Sequence, residues 1–202
     1  TLIVEVPRSC SAGFQMMALF VPSARPCQMP PSLSVVCPVS PILVSRESVD
    51  EPANFYVRDL KSSQLRAITR FPHPTPQLKG IQKQLVTYKR SDGVELSATI
   101  ITPPGWTPAQ GPLPTLLWAY PREFTDPANA GQVTGSADRY TSISGASHLL
   151  FLTQGYAIID DPTMPIVGPG ETANDTYVQQ LVASAQAAVD KAVSMGVTDR
   201  DR

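Results

Sequence analysis

Apolar and polar positions change rhythm three times along the chain. From Ile42 to Phe71, short β-rich runs alternate with polar turns: "ILV", then "FYVRDL" after Asp50-Glu51-Pro52, then "LRAITRF" after "KSSQ". Such spacing, bounded by Ser, Asp and Pro, predicts an antiparallel meander of three strands. Three strands are too few to close a barrel or a propeller, so they read as the end of something larger. "PHPTPQ", residues 72–77, is a proline-rich linker. Beyond it, "LVTYKRSDGVELSATIITP" places two β-rich runs around Asp92-Gly93. That pair predicts a hairpin, because glycine takes positive φ freely.

The rhythm changes again after the loop "PPGWTPAQGPLP". "TLLWAY", residues 115–120, is a continuous apolar run that suits a strand covered on both faces, with Pro121 as its stop. "SHLLFLTQGY" predicts a short helix ending at Gly155, and "YAIID" another short strand. After a loop with Pro162, Pro165 and Pro169 comes the strongest helical signal, residues 174–196. There Tyr177, Leu181, Ala185, Val189 and Val193 recur at every fourth position and form one stripe. Asn174 or Asp175 is positioned to cap its start and Gly196 its end. The order hairpin, strand, helix, strand, helix predicts a mixed sheet turning parallel, an α/β fold. "VTDRDR" closes the chain with no further strand predicted, leaving a βαβ unit open.

Composition narrows the function classes. A formal net charge of -1 over 202 residues gives no basic footprint for nucleic acid. No apolar stretch reaches the roughly 18 residues that span a membrane. Cys10, Cys27 and Cys37 are odd in number and form no C-x-x-C, which argues against a metal site or a closed disulfide framework. They point to a reducing, intracellular compartment. All three fall in residues 1–41, which show no period and receive no assignment. "FQMMALFV" is apolar but short, with Arg8 well before it, so a degenerate targeting peptide is the less favoured reading of it.

The candidate chemistry is sparse. The nucleophile-elbow pattern G-x-S-x-G does not occur, and "SCSAG" at 9–13 lacks the first glycine and the strand-turn-helix setting. The two histidines, His73 in the linker and His148 at a helix start, read as surface or structural imidazoles. Asp160 and Asp161 end a strand. Being adjacent, they point to opposite faces, so they cannot share a proton, and Asp161-Pro162 reads as a turn. Glu171, Asp175 and Asp190 have no metal-ligand spacing with histidine, and no cofactor is expected. "GPGE", residues 168–171, lacks the lysine and glycine spacing of a phosphate loop.

Several ordered stretches resemble the prolyl oligopeptidase family of serine peptidases, in particular its glutamyl endopeptidase branch of chloroplasts and bacteria. They are "FPHPTPQLKGIQKQLVTYKRSDGVELSATIITPPGW", "LPTLLWAYPREF", "AGQVTGS" and "ETANDTYVQQLVASAQAAVDKAV". The resemblance covers residues 42–202. It implies that 42–78 are the last β-propeller strands and linker, and that 79–202 are the N-terminal part of an α/β-hydrolase domain. It also implies peptide or unfolded protein substrates, serine-type peptide-bond hydrolysis, cleavage after Glu, and a chloroplast stroma location in a plant or alga. The family's serine, aspartate and histidine would all lie beyond Arg202, so this chain alone is expected to be inactive. The alternative is a non-catalytic remnant that binds peptides or a partner. With the neighbouring strand missing, the open edge at 115–120 is expected to make the isolated chain poorly soluble.

Tyr120 is the one catalytic residue the resemblance carries over: a tyrosine at the end of this strand donates its hydroxyl to the oxyanion. The family usually has glycine after the Tyr-Pro pair, and Arg122 stands there instead. Glycine permits close substrate approach, and an arginine there changes both the width and the charge of the pocket.

Overall fold

The computed structural model describes residues 14–15, 41–133 and 135–202. The three cysteines and most of "FQMMALFV" lie outside the described residues. A first sheet is wholly antiparallel, with strands in chain order: β1 (Phe14–Gln15), β2 (Ile42–Arg46), β3 (Asn54–Arg58) and β4 (Leu65–Ala67). The three-strand meander is there, and β1 adds a short edge, with Gln15 opposite Ser45. Two residues carry no period, so the pattern could not announce it. Asn54 ties the start of the linker to β3. Its Oδ1 accepts from Phe71 N–H at 2.7 Å and from Thr69 Oγ1 at 2.9 Å, and its Nδ2 donates to Pro52 O at 3.2 Å.

The second sheet contains β5 (Gln82–Lys89), β6 (Glu95–Thr102), β7 (Thr115–Trp118) and, beyond β8 (Pro121–Phe124), β9 (Ala157–Asp160). Its order is β5-β6-β9-β7, antiparallel except for the parallel pair β7 and β9. The predicted hairpin joins β5 and β6, and its turn closes with Arg90 N–H on Val94 O and Gly93 N–H on Arg90 O, both 2.9 Å. Gly93 sits at φ 89°, where a side chain would be strained. β8 pairs in parallel with β10 (Met164–Val167) as a separate ribbon. So the fold is α/β with a mixed sheet, as the element order predicted.

Alternation along the strands sends residues to two cores. Val86, Ala98, Ile100, Ala157 and Ile159 face α2 (Tyr177–Ser194), meeting Ala188 and Ala192. A four-residue helix, α1 (Pro127–Ala130), precedes it in the chain and covers Leu96. On the opposite face, Ile101 and Ile158 pack with Leu78, Ile81, Leu149 and Leu152. The last two come from residues 148–154, a 3-10 helix where the pattern predicted a short helix. Ser147 Oγ caps it by accepting from Leu149 N–H, and Gly155 ends it at φ 81°. Ile158 and Ile159 are fully buried on opposite faces, each contributing about 1.5–3 kcal/mol by burial.

The stripe predicted on α2 is displaced by one position. Ser184, Ala188 and Ala192 are its buried residues. Leu181, Ala185, Val189 and Val193 flank them half-buried, and Val178 and Val182 are 64% and 60% exposed. Small side chains at the centre let the helix approach the sheet closely, so backbone proximity outranked side-chain size. The start also differs from expectation. Asn174 and Asp175 lie within a 3-10 turn, Ala173–Thr176, and neither caps α2. The end is as predicted: Gly196 at φ 71° donates to Val193 O, and Val197 N–H reaches Ala192 O, a Schellman closure.

Beyond α2 the chain begins to lie beside β7. Leu113 and Thr198 form a parallel bridge, with Leu113 N–H on Val197 O at 2.7 Å and Asp199 N–H on Leu113 O at 2.9 Å. The edge expected to be open is thus partly covered at its start, while Leu116–Trp118 has no strand on that side among the described residues.

Arg90 is the residue the sequence did not single out. It is 3% exposed, yet all five of its N–H groups are used. Nε and Nη2 grip Asp92 at 2.9 and 2.7 Å, Nη1 donates to Pro165 O and Ser184 Oγ, and Nη2 also donates to Gln180 Oε1. Gln180 in turn bonds Val167 N–H and O, holding β10 to α2. Among the described residues, three buried side-chain oxygens lack a partner: Thr75 Oγ1, Tyr88 Oη and Thr141 Oγ1. Burial raises the Tyr88 phenol well above its ordinary pKa.

Candidate functional site

β7 and β9 run parallel, so their carboxyl ends coincide, the edge where open α/β sheets bind ligands. β7 stops at Trp118, two residues before the expected end. Pro121 does not stop it. Pro121 opens β8, a first-strand position where its missing N–H is harmless. Tyr120 therefore sits in the two-residue joint between strands, 64% exposed. As expected, the strand is packed on both faces, Leu117 against the core on the α2 side and Leu116 against the opposite core. β7 lies at the sheet edge, its residues are half-buried, and Trp118 is 44% exposed.

An aromatic stack stands behind Tyr120. Its ring meets Trp118 edge-on with centroids 5.9 Å apart, and Trp118 lies flat against His148 at 4.7 Å and 11°. His148 Nε2 donates to Asp160 Oδ1 at 2.7 Å. His148 is a structural imidazole, as expected, but its pairing with Asp160 was not foreseen. Two positions twelve apart show no shared period, and the register that sets Trp118 opposite Asp160 is tertiary. Lys83 lies nearby on β5. Burial lowers its pKa, the negative charges of Asp160 and Glu47 oppose that, and its ammonium donates to Arg139 O at 2.9 Å. His73, also structural, accepts from Thr75 N–H at 3.1 Å and contacts Tyr140.

Asp161 turns away from the strand at φ 45°, donating its N–H to Trp118 O at 3.0 Å. Asp160 and Asp161 do not form a pair, as expected. Thr163 anchors the next residues to β6, exchanging backbone and hydroxyl bonds with Ser97. Between these parts lies a cavity of about 130 Å³, bordered by Tyr120, Arg122, Phe124, Asp161, Met164 and Asn129. Alternation along β8 puts Arg122 and Phe124 on the cavity side and leaves Glu123 out of the lining. Gly168, in the loop that superficially suggests phosphate binding, has a packing reason: a Cβ there would meet Ala173 Cα at 3.1 Å. No group of three His, Cys, Asp or Glu that could hold a metal occurs among the described residues. No described helix is long and apolar enough to cross a membrane.

No protein-family profile matches the chain. Two curated proteins are similar over 163 residues, 80% of this chain. Both are named as probable chloroplastic glutamyl endopeptidases: one from Arabidopsis thaliana, 48% identical, and one from Oryza sativa subsp. japonica, 47% identical. Among solved structures, the acylaminoacyl peptidase of Pyrococcus horikoshii matches 81% of this chain and 25% of its own, at 14% identity and a TM-score of 0.48. That score is too low to bear on the fold.

The sequence similarity over 80% of the chain gives the class, and the mixed α/β sheet is consistent with it: the chain belongs to the prolyl oligopeptidase family. Its sequence relatives within that family are the glutamyl endopeptidases, and the chain spans 17% of the length of the two it matches.

Proposed function

We propose that this chain is the N-terminal part of a peptidase domain and that Tyr120 is an oxyanion donor. The observation that carries the reading is the exposed Tyr120, mounted at the joint between β7 and β8 beside a cavity at the carboxyl edge of the sheet. Peptide-bond hydrolysis through an acyl-enzyme places negative charge on the carbonyl oxygen only in the tetrahedral state. A phenol fixed there in advance stabilises that charge without reorganising. Trp118 and the His148–Asp160 pair behind it hold the mount in place.

These 202 residues contain no G-x-S-x-G, so we place the nucleophile of this chemistry outside them, and its acid and base with it. We assign residues 79–202 to the hydrolase domain and 42–78 to the last propeller strands and linker. A separate antiparallel sheet, three of whose four strands fall within 42–78, supports that division. Substrates are peptides or unfolded proteins, with cleavage after Glu. The plant relatives named chloroplastic support a chloroplast location.

Two measurements test this. The 202-residue chain should neither turn over peptides nor react with a fluorophosphonate, and labelling would overturn the division of labour. Grafted in place of the matching segment of the Arabidopsis relative, the chain should yield a peptidase. There Tyr120→Phe should lower kcat about 10²–10³-fold with KM little changed. An unchanged kcat would remove Tyr120 from the mechanism.

A further inference from the structure

Tyr120 lies between β7 and β8, and no strand ladder runs through it. Its phenol makes no hydrogen bond among the described residues, and its ring contact is Trp118, edge-on at 5.9 Å and 84°. The aim of the phenol is therefore set by the indole. Trp118 ends an edge strand and is itself 44% exposed. Pairing with Asp160 and the bond from Asp161 N–H to its carbonyl fix its backbone. They leave the indole free to choose among rotamers. The His148 ring, flat against it at 4.7 Å and 11°, selects one. His148 is in turn held at two points. It opens a 3-10 helix capped by Ser147, and its Nε2 donates to Asp160 Oδ1 at 2.7 Å, with both side chains mostly buried. The other charge that acts on Asp160 is Lys83 on β5.

We propose that His148 and Asp160 are positioning residues for Tyr120: their hydrogen bond fixes the Trp118 indole, and the indole aims the phenol at the rim of the cavity. The inference rests on the oxyanion reading of Tyr120 and adds the groups that direct it. A donor stabilises an oxyanion only within about 2.7–3.1 Å of where the charge appears. A misplacement of about 1 Å can cost about 10²-fold. Geometry carries the effect here, and charge does not. Asparagine at position 160 keeps an acceptor for the His148 N–H, and alanine keeps none.

Two readouts test it. In the 202-residue chain, labelled with 13C and 15N, the Tyr120 ring protons should carry the ring-current shift of Trp118. H148A and D160A should move them toward the values of free tyrosine, and D160N should keep the parent shifts. The indole of Trp106, 8% exposed and bonded to Gly111 O at 3.1 Å, should stay in place and report the intact fold. If the truncations unfold the chain, H148F decides in their place, since it keeps a ring on Trp118 but cannot bond Asp160, and it too should move Tyr120. Unmoved Tyr120 signals in folded variants overturn the inference. In the grafted peptidase, H148A and D160A should each lower kcat ~10-fold with KM little changed, and D160N should recover most of the loss. H148A should cost nothing further once Tyr120→Phe is present. Losses that multiply with Tyr120→Phe, or D160N as costly as D160A, overturn the positioning role and leave Tyr120 a donor. A Tyr120→Phe variant with unchanged kcat overturns the donor, and the inference with it.

Discussion

Replacing Arg90 with methionine tests how the hairpin, β10 and α2 are held together. Arg90 is 3% exposed and makes hydrogen bonds to Asp92, Gln180, Ser184 and Pro165. Methionine fills most of the volume but donates nothing. Asp92, whose side chain is about half exposed, returns to water at little cost. Gln180 Oε1 keeps Val167 N–H as a partner. The lasting loss falls on Pro165 O and Ser184 Oγ, the latter on a residue that is fully buried. At about 1–3 kcal/mol for each buried group left unpaired, the sum is roughly 2–6 kcal/mol. The Ser184 hydroxyl can rotate to another acceptor, which brings the expected value to about 2–4 kcal/mol. Urea unfolding followed by circular dichroism measures it. D92N is the control: it removes the charge from the solvated end while its amide oxygen can still accept from Arg90, so it should cost less than R90M. If R90M and D92N are equally costly, the exposed pair matters and the buried network does not. If R90M lies within about 0.5 kcal/mol of the parent, the network contributes nothing and the reasoning fails.

Three further outcomes are expected. A188L should destabilise the chain by about 1–3 kcal/mol through overpacking against the sheet, whereas V182S, at a position 60% exposed, should be near neutral by the same unfolding assay. G196A should cost about 1–2 kcal/mol from left-handed backbone strain alone, since no atom lies within 4 Å of its Cβ position, and its thermal midpoint reports this. Hydrogen bonding from Arg90 depresses the Asp92 pKa, Arg200 and Gln186 depress that of Asp190, and backbone and Arg202 bonds depress that of Asp199. Their stabilisation is complete above the ordinary carboxylate pKa near about 3.9 and is lost as pH falls through the lower folded values. D92N should therefore flatten the acid limb of stability against pH, and an unchanged limb would refute the assignment.

The sequence by itself determined β2 to β7, β9, the helix at 148–154 and α2, but not β8 or β10, whose residues read as a strand stop and a proline loop. The Asp92-Gly93 turn, the apolar runs at 115–118 and 157–160, and the Gly196 stop are local signals, set by backbone sterics and the contrast of apolar with polar positions. It also placed Tyr120 just beyond an apolar strand and next to Pro121, and its similarity carried the family. The tertiary structure decided what lies beside what. Strand order and register brought Trp118, His148 and Asp160 into one stack, and ribbon pairing with β10 made Pro121 a strand's beginning instead of its end. On α2, the closeness of helix to sheet chose Ser184, Ala188 and Ala192 over the larger side chains that define the sequence stripe. Arg90 shows the same limit, because its five bonds reach residues up to 94 positions away. Local pattern reports what each residue prefers; which preferences are satisfied depends on contacts that close only when distant segments meet.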